Sequence, residues 1–273
     1  MRRIGQIAKE IGAVAAVAFR MNPDVDPDTH PYIKTGFRNN KFGMDESSLP
    51  ELESILKDFA DHLQLKGLTL HIGSQIRELH SFLDAINKTL PLYDYLKQQG
   101  HPMHTFDIGG GVGISYTEEN PEADYDLLTE YGEAVKKMIG QRDIRLMVEP
   151  GRIVVGRSGV LLTDVQYIKN TPYKNFAIVS SGMHHLMRPC LYSAFHRIEP
   201  AVVNNQSETL LYDIVGPICE SSDVLGNDRR MPKLAEGDWL VIRDVGAYGF
   251  CMANNYNAHE LPKEVVFSQG KTL

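Results

Sequence analysis

His104-Thr105-Phe106-Asp107-Ile108-Gly109-Gly110-Gly111-Val112-Gly113 is the stretch on which the fold turns. A short apolar run that stops at three successive glycines reads as a buried strand followed by a turn in which side chains are not tolerated. Outward from it the same grammar repeats. Strand-like runs at 13–20, 67–72, 104–108 and 144–148 alternate with helical patterns at 49–65, 81–99 and 125–139. Repeated β then α predicts right-handed crossovers and a parallel sheet buried on both faces.

Beyond residue 158 helical periodicity fades and short runs rich in Val, Ile, Leu and Tyr take over, at 160–168, 175–179, 209–215, 238–242 and 264–267. These predict an antiparallel β domain. The expected division is an α/β part over 1–158 and an all-β part over 159–273. The α/β part is either an open doubly wound sheet or a closed barrel. A complete (β/α)8 barrel takes about 250 residues, so four units make roughly half of one. The missing strands are then expected before Met1, and half a barrel leaves two sheet edges uncovered.

The 273 residues are 42% apolar and 23% charged, values of an ordinary globular chain. A net charge of −7 argues against a nucleic-acid partner, which needs clustered Lys and Arg. The longest apolar run, 11–19, is too short to span a bilayer, and no small-residue cleavage site follows it, so a cytoplasmic protein without a membrane partner is expected. Cys190, Cys219 and Cys251 form no CxxC pair, which fits reduced thiols rather than a disulfide framework or a zinc ribbon. His184-His185 invites a metal reading, but neighbours in regular structure point apart and no third ligand is spaced to join them, so no metal is expected.

Three strands in a row end in polar or glycine-rich sequence: His71-Ile72-Gly73-Ser74, then Asp107 to Gly113, then Glu149-Pro150-Gly151-Arg152. In a barrel all strand C-termini open onto one face, so these groups converge there. Backbone amides at Gly109, Gly110 and Gly111 suit a phosphate. A dinucleotide fingerprint fails, because Ile114 stands where its third glycine belongs. Taken singly, each motif also reads blandly, as a tight turn, a surface ion pair or a structural histidine. The β part adds Arg188-Pro189-Cys190-Leu191-Tyr192, Cys219-Glu220-Ser221-Ser222-Asp223 and Gly246-Ala247-Tyr248. On spacing alone Cys219 beside Glu220 is an ordinary turn.

Together, and in this order, the motifs resemble the fold type III pyridoxal-phosphate-dependent decarboxylases, and within them the diaminopimelate branch. Thr29-His30-Pro31-Tyr32-Ile33-Lys34-Thr35-Gly36 and Asn40-Lys41-Phe42-Gly43 carry the same likeness, which covers nearly the whole chain. The resemblance implies the C-terminal part of a (β/α)8 barrel followed by a β domain, pyridoxal 5'-phosphate as cofactor and meso-diaminopimelate as substrate. It gives His71 to the face of the pyridine ring and Glu149 to the ring nitrogen. Ser74, Gly109, Gly110, Gly111, Pro150, Gly151, Arg152 and Tyr248 fall to the cofactor, the last two to substrate as well. Cys219 matches the proton donor, while Arg188, Tyr192 and Glu220 match the readers of the substrate's far end. It further implies a homodimer with shared active sites.

One departure stands out. The family's cofactor-bearing lysine, early in the barrel, has no counterpart here, since Lys34 and Lys41 match a substrate-side loop. Three other readings compete: a sister enzyme such as carboxynorspermidine decarboxylase, a non-catalytic decarboxylase-like regulator, or a piece of a fusion with an aspartokinase domain.

Overall fold

The computed structural model describes residues 1–36, 41–118, 120–202 and 208–272, so Asn40 of the second quoted loop lies outside the described residues. The chain divides into two compact units. One comprises 1–114 with 120–153, the other 115–119 with 154–273. The dividing line falls between Ile153 and Val154, a few residues before 158.

In the first unit, β1 (Ala15–Met21), β2 (Leu63–Leu70), β3 (Thr105–Asp107) and β4 (Arg145–Met147) form a four-stranded sheet in the order β1-β2-β3-β4, every pair parallel. Sequential parallel neighbours with no reversal of order fit a section of barrel wall, whereas a whole doubly wound sheet reverses its order at a switch point. The crossovers are α2 (Leu49–Asp58), α3 (His80–Gln98) and α4 (Glu122–Ile139), and α1 (Arg2–Glu10) precedes β1.

The helices form where the apolar spacing is 3 to 4. α3 buries Phe82, Ile86, Leu90, Tyr93 and Leu96 on one stripe, facing Phe106, Leu68 and Leu70 of the sheet. α4 opens on Glu122 and Asp124 and closes on Lys136 and Lys137, charges that favour both ends of its dipole. Gly140, at φ 61°, stops it.

Two sequence expectations shift. The helix predicted over 49–65 ends at Asp58, and β2 starts at Leu63 rather than Gly67. Leu63 and Leu65 extend the helical apolar spacing, but their alternation with exposed Gln64 is the period of a half-buried strand. Helix α1, which the sequence reading passed over, is mostly polar and buries only Gly5 and Ala8.

The second unit is a six-stranded sheet in the order β7-β10-β5-β6-β8-β9, with β5 Leu161–Asn170, β6 Asn175–Val179, β7 Ile198–Pro200, β8 Thr209–Val215, β9 Val224–Pro232 and β10 Trp239–Ile242. Its core is Val165, Ala177, Val179, Ile198, Tyr212, Ile214, Leu225, Leu240 and Ile242. The sheet is mixed rather than wholly antiparallel, because β6 and β8 run parallel. A long connection separates them in sequence, and such pairs need one. The predicted strand over 264–267 reduces to a two-residue pairing of Phe267–Ser268 (β11) with Lys271–Thr272 (β12).

Candidate active site

Parallel register sets the geometry. Thr69, Asp107 and Met147 stand side by side on β2, β3 and β4. Two positions further on, the same register brings His71, Gly109 and Glu149 to one level, at the C-terminal ends of three adjacent strands. The glycines permit that convergence. A Cβ on Gly109 would stand 2.2 Å from the Leu70 carbonyl oxygen, on Gly110 2.0 Å from that of Glu149, and on Gly111 2.2 Å from that of Gly73. Gly109 and Gly111 also hold φ of 69° and 109°, conformations that side chains resist.

The turn is stitched to both neighbours. Glu149 N–H donates to the Gly109 carbonyl at 2.8 Å. Gly110 N–H donates to His71 Nδ1 at 3.2 Å, and Gly109 N–H to Asp107 Oδ1 at 2.9 Å. Two of the three amides that the sequence reading offered to a phosphate are therefore engaged within the chain. What the bond to His71 does is fix the ring: Nδ1 accepts, so the proton sits on Nε2. Burial, helped by the Arg20 cation, lowers the imidazole's pKa below the ordinary value, with Asp107 pulling weakly the other way. The ring is neutral, held, and 27% exposed, with Glu149 Oε2 4.0 Å from Nδ1.

Arg152, only 5% exposed, donates from Nη2 to Ser74 Oγ at 3.3 Å. A cation and a hydroxyl from the turns after β4 and β2 thus meet. Segment 29–35 braces the second of these turns: Thr35 donates to the His71 carbonyl at 2.9 Å and Thr29 to that of Ser74 at 2.8 Å. Lys34 pairs with Asp26 at 2.6 Å. Gln75 supports the glycine turn from beyond, donating to the Ile114 carbonyl at 2.6 Å and accepting its N–H at 3.3 Å.

In the second unit the Cys-Glu-Ser-Ser-Asp turn is built around Asp223, a residue to which the motif alone gives no role. Its buried carboxylate accepts Met183 N–H at 2.6 Å and Ile218 N–H at 2.7 Å. Gly182 and Gly216 press against it so closely that a Cβ on either would lie 2.6 Å or less from a carboxylate oxygen. Burial raises its pKa, and the two amides pull it back down. Cys219 and Glu220 stand exposed on the rim that Asp223 anchors. Glu220 accepts from Tyr256 OH and from Ser222 Oγ, the latter at 3.2 Å. Tyr256 sits in a polar run near the C-terminus that carried no spacing signal.

Arg188 opens a short helix, α6 (Arg188–Tyr192), and is buried against His196 and the Tyr116 ring. Tyr192 is half-buried at its end. Tyr248 follows a loop fastened to the segment after α5 (Arg152–Val155): Gly246 N–H donates to the Gly156 carbonyl at 3.1 Å and Val245 N–H to that of Gly159 at 3.0 Å. His184 and His185 lie in a turn rather than in regular structure, so their rings do not point apart but meet at 3.8 Å. Among the described residues no helix is long and apolar enough to cross a membrane.

Known proteins resemble this chain in sequence and in fold. Diaminopimelate decarboxylase of Pseudomonas aeruginosa is 43% identical over 274 residues, which take in all of this chain and 64% of that protein. That of Neisseria meningitidis serogroup B is 45% identical over 265 residues, 97% of this chain and 62% of the relative. The chain thus spans a little under two thirds of the length of these relatives. Among solved structures, diaminopimelate decarboxylase of Helicobacter pylori complexed with L-lysine superposes with a TM-score of 0.90 at 37% identity, over 98% of this chain and 66% of that one. Residues 1–156, which hold the three aligned strand ends with His71, the glycine turn, Glu149 and Arg152, match the family model described as the pyridoxal binding domain of pyridoxal-dependent decarboxylases. The chain belongs to the pyridoxal-dependent decarboxylases.

Proposed function

We propose that this chain carries the cofactor and substrate groups of a pyridoxal 5'-phosphate-dependent carboxy-lyase that converts meso-2,6-diaminopimelate to L-lysine and carbon dioxide, the closing step of lysine biosynthesis. The observation that carries this reading is the meeting of His71, Gly109 and Glu149 at one level, with Arg152 bonded to Ser74 beside them. A flat neutral imidazole, an exposed carboxylate and a guanidinium next to a hydroxyl suit a pyridine face, a pyridine nitrogen and a phosphate in turn.

Pyridoxal phosphate supplies an electron-poor ring that takes up the electron pair left when carbon dioxide departs. His71 offers the face on which that ring stacks, and its Nδ1 bond to Gly110 keeps the face from rotating away. Glu149 stabilises a proton on the ring nitrogen. Arg152, Ser74 and the Gly111 turn hold the phosphate, shaped by Gly109, Gly110, Pro150 and Gly151 and joined by Tyr248. Cys219 Sγ carries the proton returned to the substrate Cα, a contribution typically worth about 10²- to 10⁴-fold.

Arg188 and Tyr192 take the far carboxylate of the substrate and Glu220 its ammonium, and Arg152 and Tyr248 also serve the substrate. Ornithine brings no second carboxylate and leaves the guanidinium unmatched. The working form is a cytoplasmic homodimer in which Cys219 and Glu220 serve the partner's site.

Lysine release from meso-diaminopimelate, measured with pyridoxal phosphate on this chain joined to the strands and the cofactor lysine that it lacks relative to the family, tests the reading. Glu149→Gln is expected to lower kcat at least about 100-fold while cofactor binding persists, and Cys219→Ala to behave likewise. Turnover of ornithine or carboxynorspermidine matching that of meso-diaminopimelate overturns the substrate assignment.

A further inference from the structure

Arg188 is a long side chain that must present its guanidinium in one plane if it is to take a carboxylate in a forked, two-bond grip. In the second unit a residue outside the quoted motifs lies beside it. After α6, Ser193 turns the chain back through a left-handed conformation at φ 51°, and His196 returns beside Arg188, eight positions later in sequence. His196 is fully buried. Its Nε2 lies 2.7 Å from Arg188 Nη1 and its Nδ1 2.9 Å from the Arg243 carbonyl oxygen.

The chemistry of the two partners leaves one protonation state. A carbonyl oxygen only accepts, so Nδ1 carries a hydrogen. A guanidinium only donates, so Nε2 presents its lone pair. The ring is therefore neutral and of a single tautomer. Its anchor is backbone: β7 pairs with β10, Ile198 opposite Ile242, and Arg243 N–H donates to the Arg197 carbonyl at 2.9 Å. The sheet itself thus places the oxygen that orients the imidazole. Tyr116 completes the cluster, its ring 5.1 Å from that of His196 at an interplanar angle of 71° and 4.6 Å from the guanidinium carbon. Both supports are uncharged. A carboxylate in the place of His196 would compete with any ligand carboxylate.

We infer that His196 is a positioning residue: as an Nδ1–H imidazole anchored on the Arg243 carbonyl, it holds the Arg188 guanidinium in the plane that grips the far carboxylate of the substrate. This rests on the reading of Arg188 given above. L-lysine, which keeps a carboxylate, and cadaverine, which has none, separate the two. Calorimetric titration of each into the protein loaded with pyridoxal phosphate is expected to show His196→Leu weakening L-lysine about tenfold, the size of one lost bond to a charged group, with cadaverine unchanged. His196→Gln, which offers one acceptor and one donor, should restore L-lysine binding to within roughly twofold of the parent.

Equal L-lysine affinity in His196→Leu and the parent overturns the inference, as does equal weakening of both ligands. If Arg188→Met weakens L-lysine while His196→Leu does not, only the positioning role falls. If Arg188→Met binds L-lysine as the parent does, the reading of Arg188 falls as well. Nitrogen NMR of the parent's imidazole is independent of whether any variant folds: an Nδ1–H resonance supports the role, and an Nε2–H tautomer or a charged ring at neutral pH overturns it.

Discussion

A single methyl group at Gly110 would sit 2.0 Å from the Glu149 carbonyl oxygen, inside any tolerable contact. Gly110→Ala must therefore push the turn after β3 off the end of β4 and pull His71 with it. The expected outcome is a loss of about 1–3 kcal/mol of stability in urea unfolding, and weakened pyridoxal phosphate binding. A parent-like midpoint would mean that the strands do not approach so closely. The sequence revealed that glycines were needed here but not what for: it assigned their amides to a phosphate, whereas two of them serve His71 and Asp107. Side-chain acceptors that fold back onto a turn leave no spacing pattern. His184 shows the same limit. Fully buried, with neither ring nitrogen bonded and with His185 and His259 close by, it has its pKa lowered by burial to about 4. Because the folded value lies below the ordinary 6.5, the folded chain binds this proton less readily than the unfolded one. Its contribution is complete above pH 6.5 and falls away as the pH drops towards 4, on the order of 3 kcal/mol. Thermal unfolding across that window should show the loss, and His184→Gln should flatten it.

Among the elements, most of the strands that the sequence revealed carry side chains into a core, while β4 and β11 do not. Residues 175–179 and 209–215 are mostly apolar and send Ala177, Val179, Tyr212 and Ile214 into the core, and their bounds coincide with β6 and β8. β9 escaped notice because its middle, Asn227-Asp228-Arg229-Arg230, is polar, as suits an edge strand that meets water. The turn over 216–223 depends on an acceptor from its own end. Asp223→Ala leaves the Met183 and Ile218 amides without it in a buried place, at a cost of about 2–4 kcal/mol. Asp223→Asn fills the space but presents one acceptor oxygen instead of two. Both variants should lower the unfolding midpoint, Ala more than Asn. An unmoved midpoint in Asp223→Ala would remove the carboxylate as the organiser of the turn that carries Cys219 and Glu220.

At the level of the whole molecule, alternation of period 2 with period 3.6 was enough to foretell a parallel sheet, and six ordered motifs to foretell the family. The parallel pairing of β6 with β8 was not legible, since nothing in either strand's own pattern encodes the direction of its neighbour. Strand order has a further physical result. Among the described residues β4 pairs on one side only, with β3, and its residues Arg145, Leu146 and Met147 are all exposed, Leu146 at 40% and Met147 at 43%. The outward row of amides and carbonyls on such a strand is a template for any extended peptide that arrives. Light scattering of this 273-residue chain should therefore grow with concentration, and Leu146→Lys should suppress that growth. A strand that docked along β4 would add its own backbone beside Glu149, on the wall that presents the carboxylate.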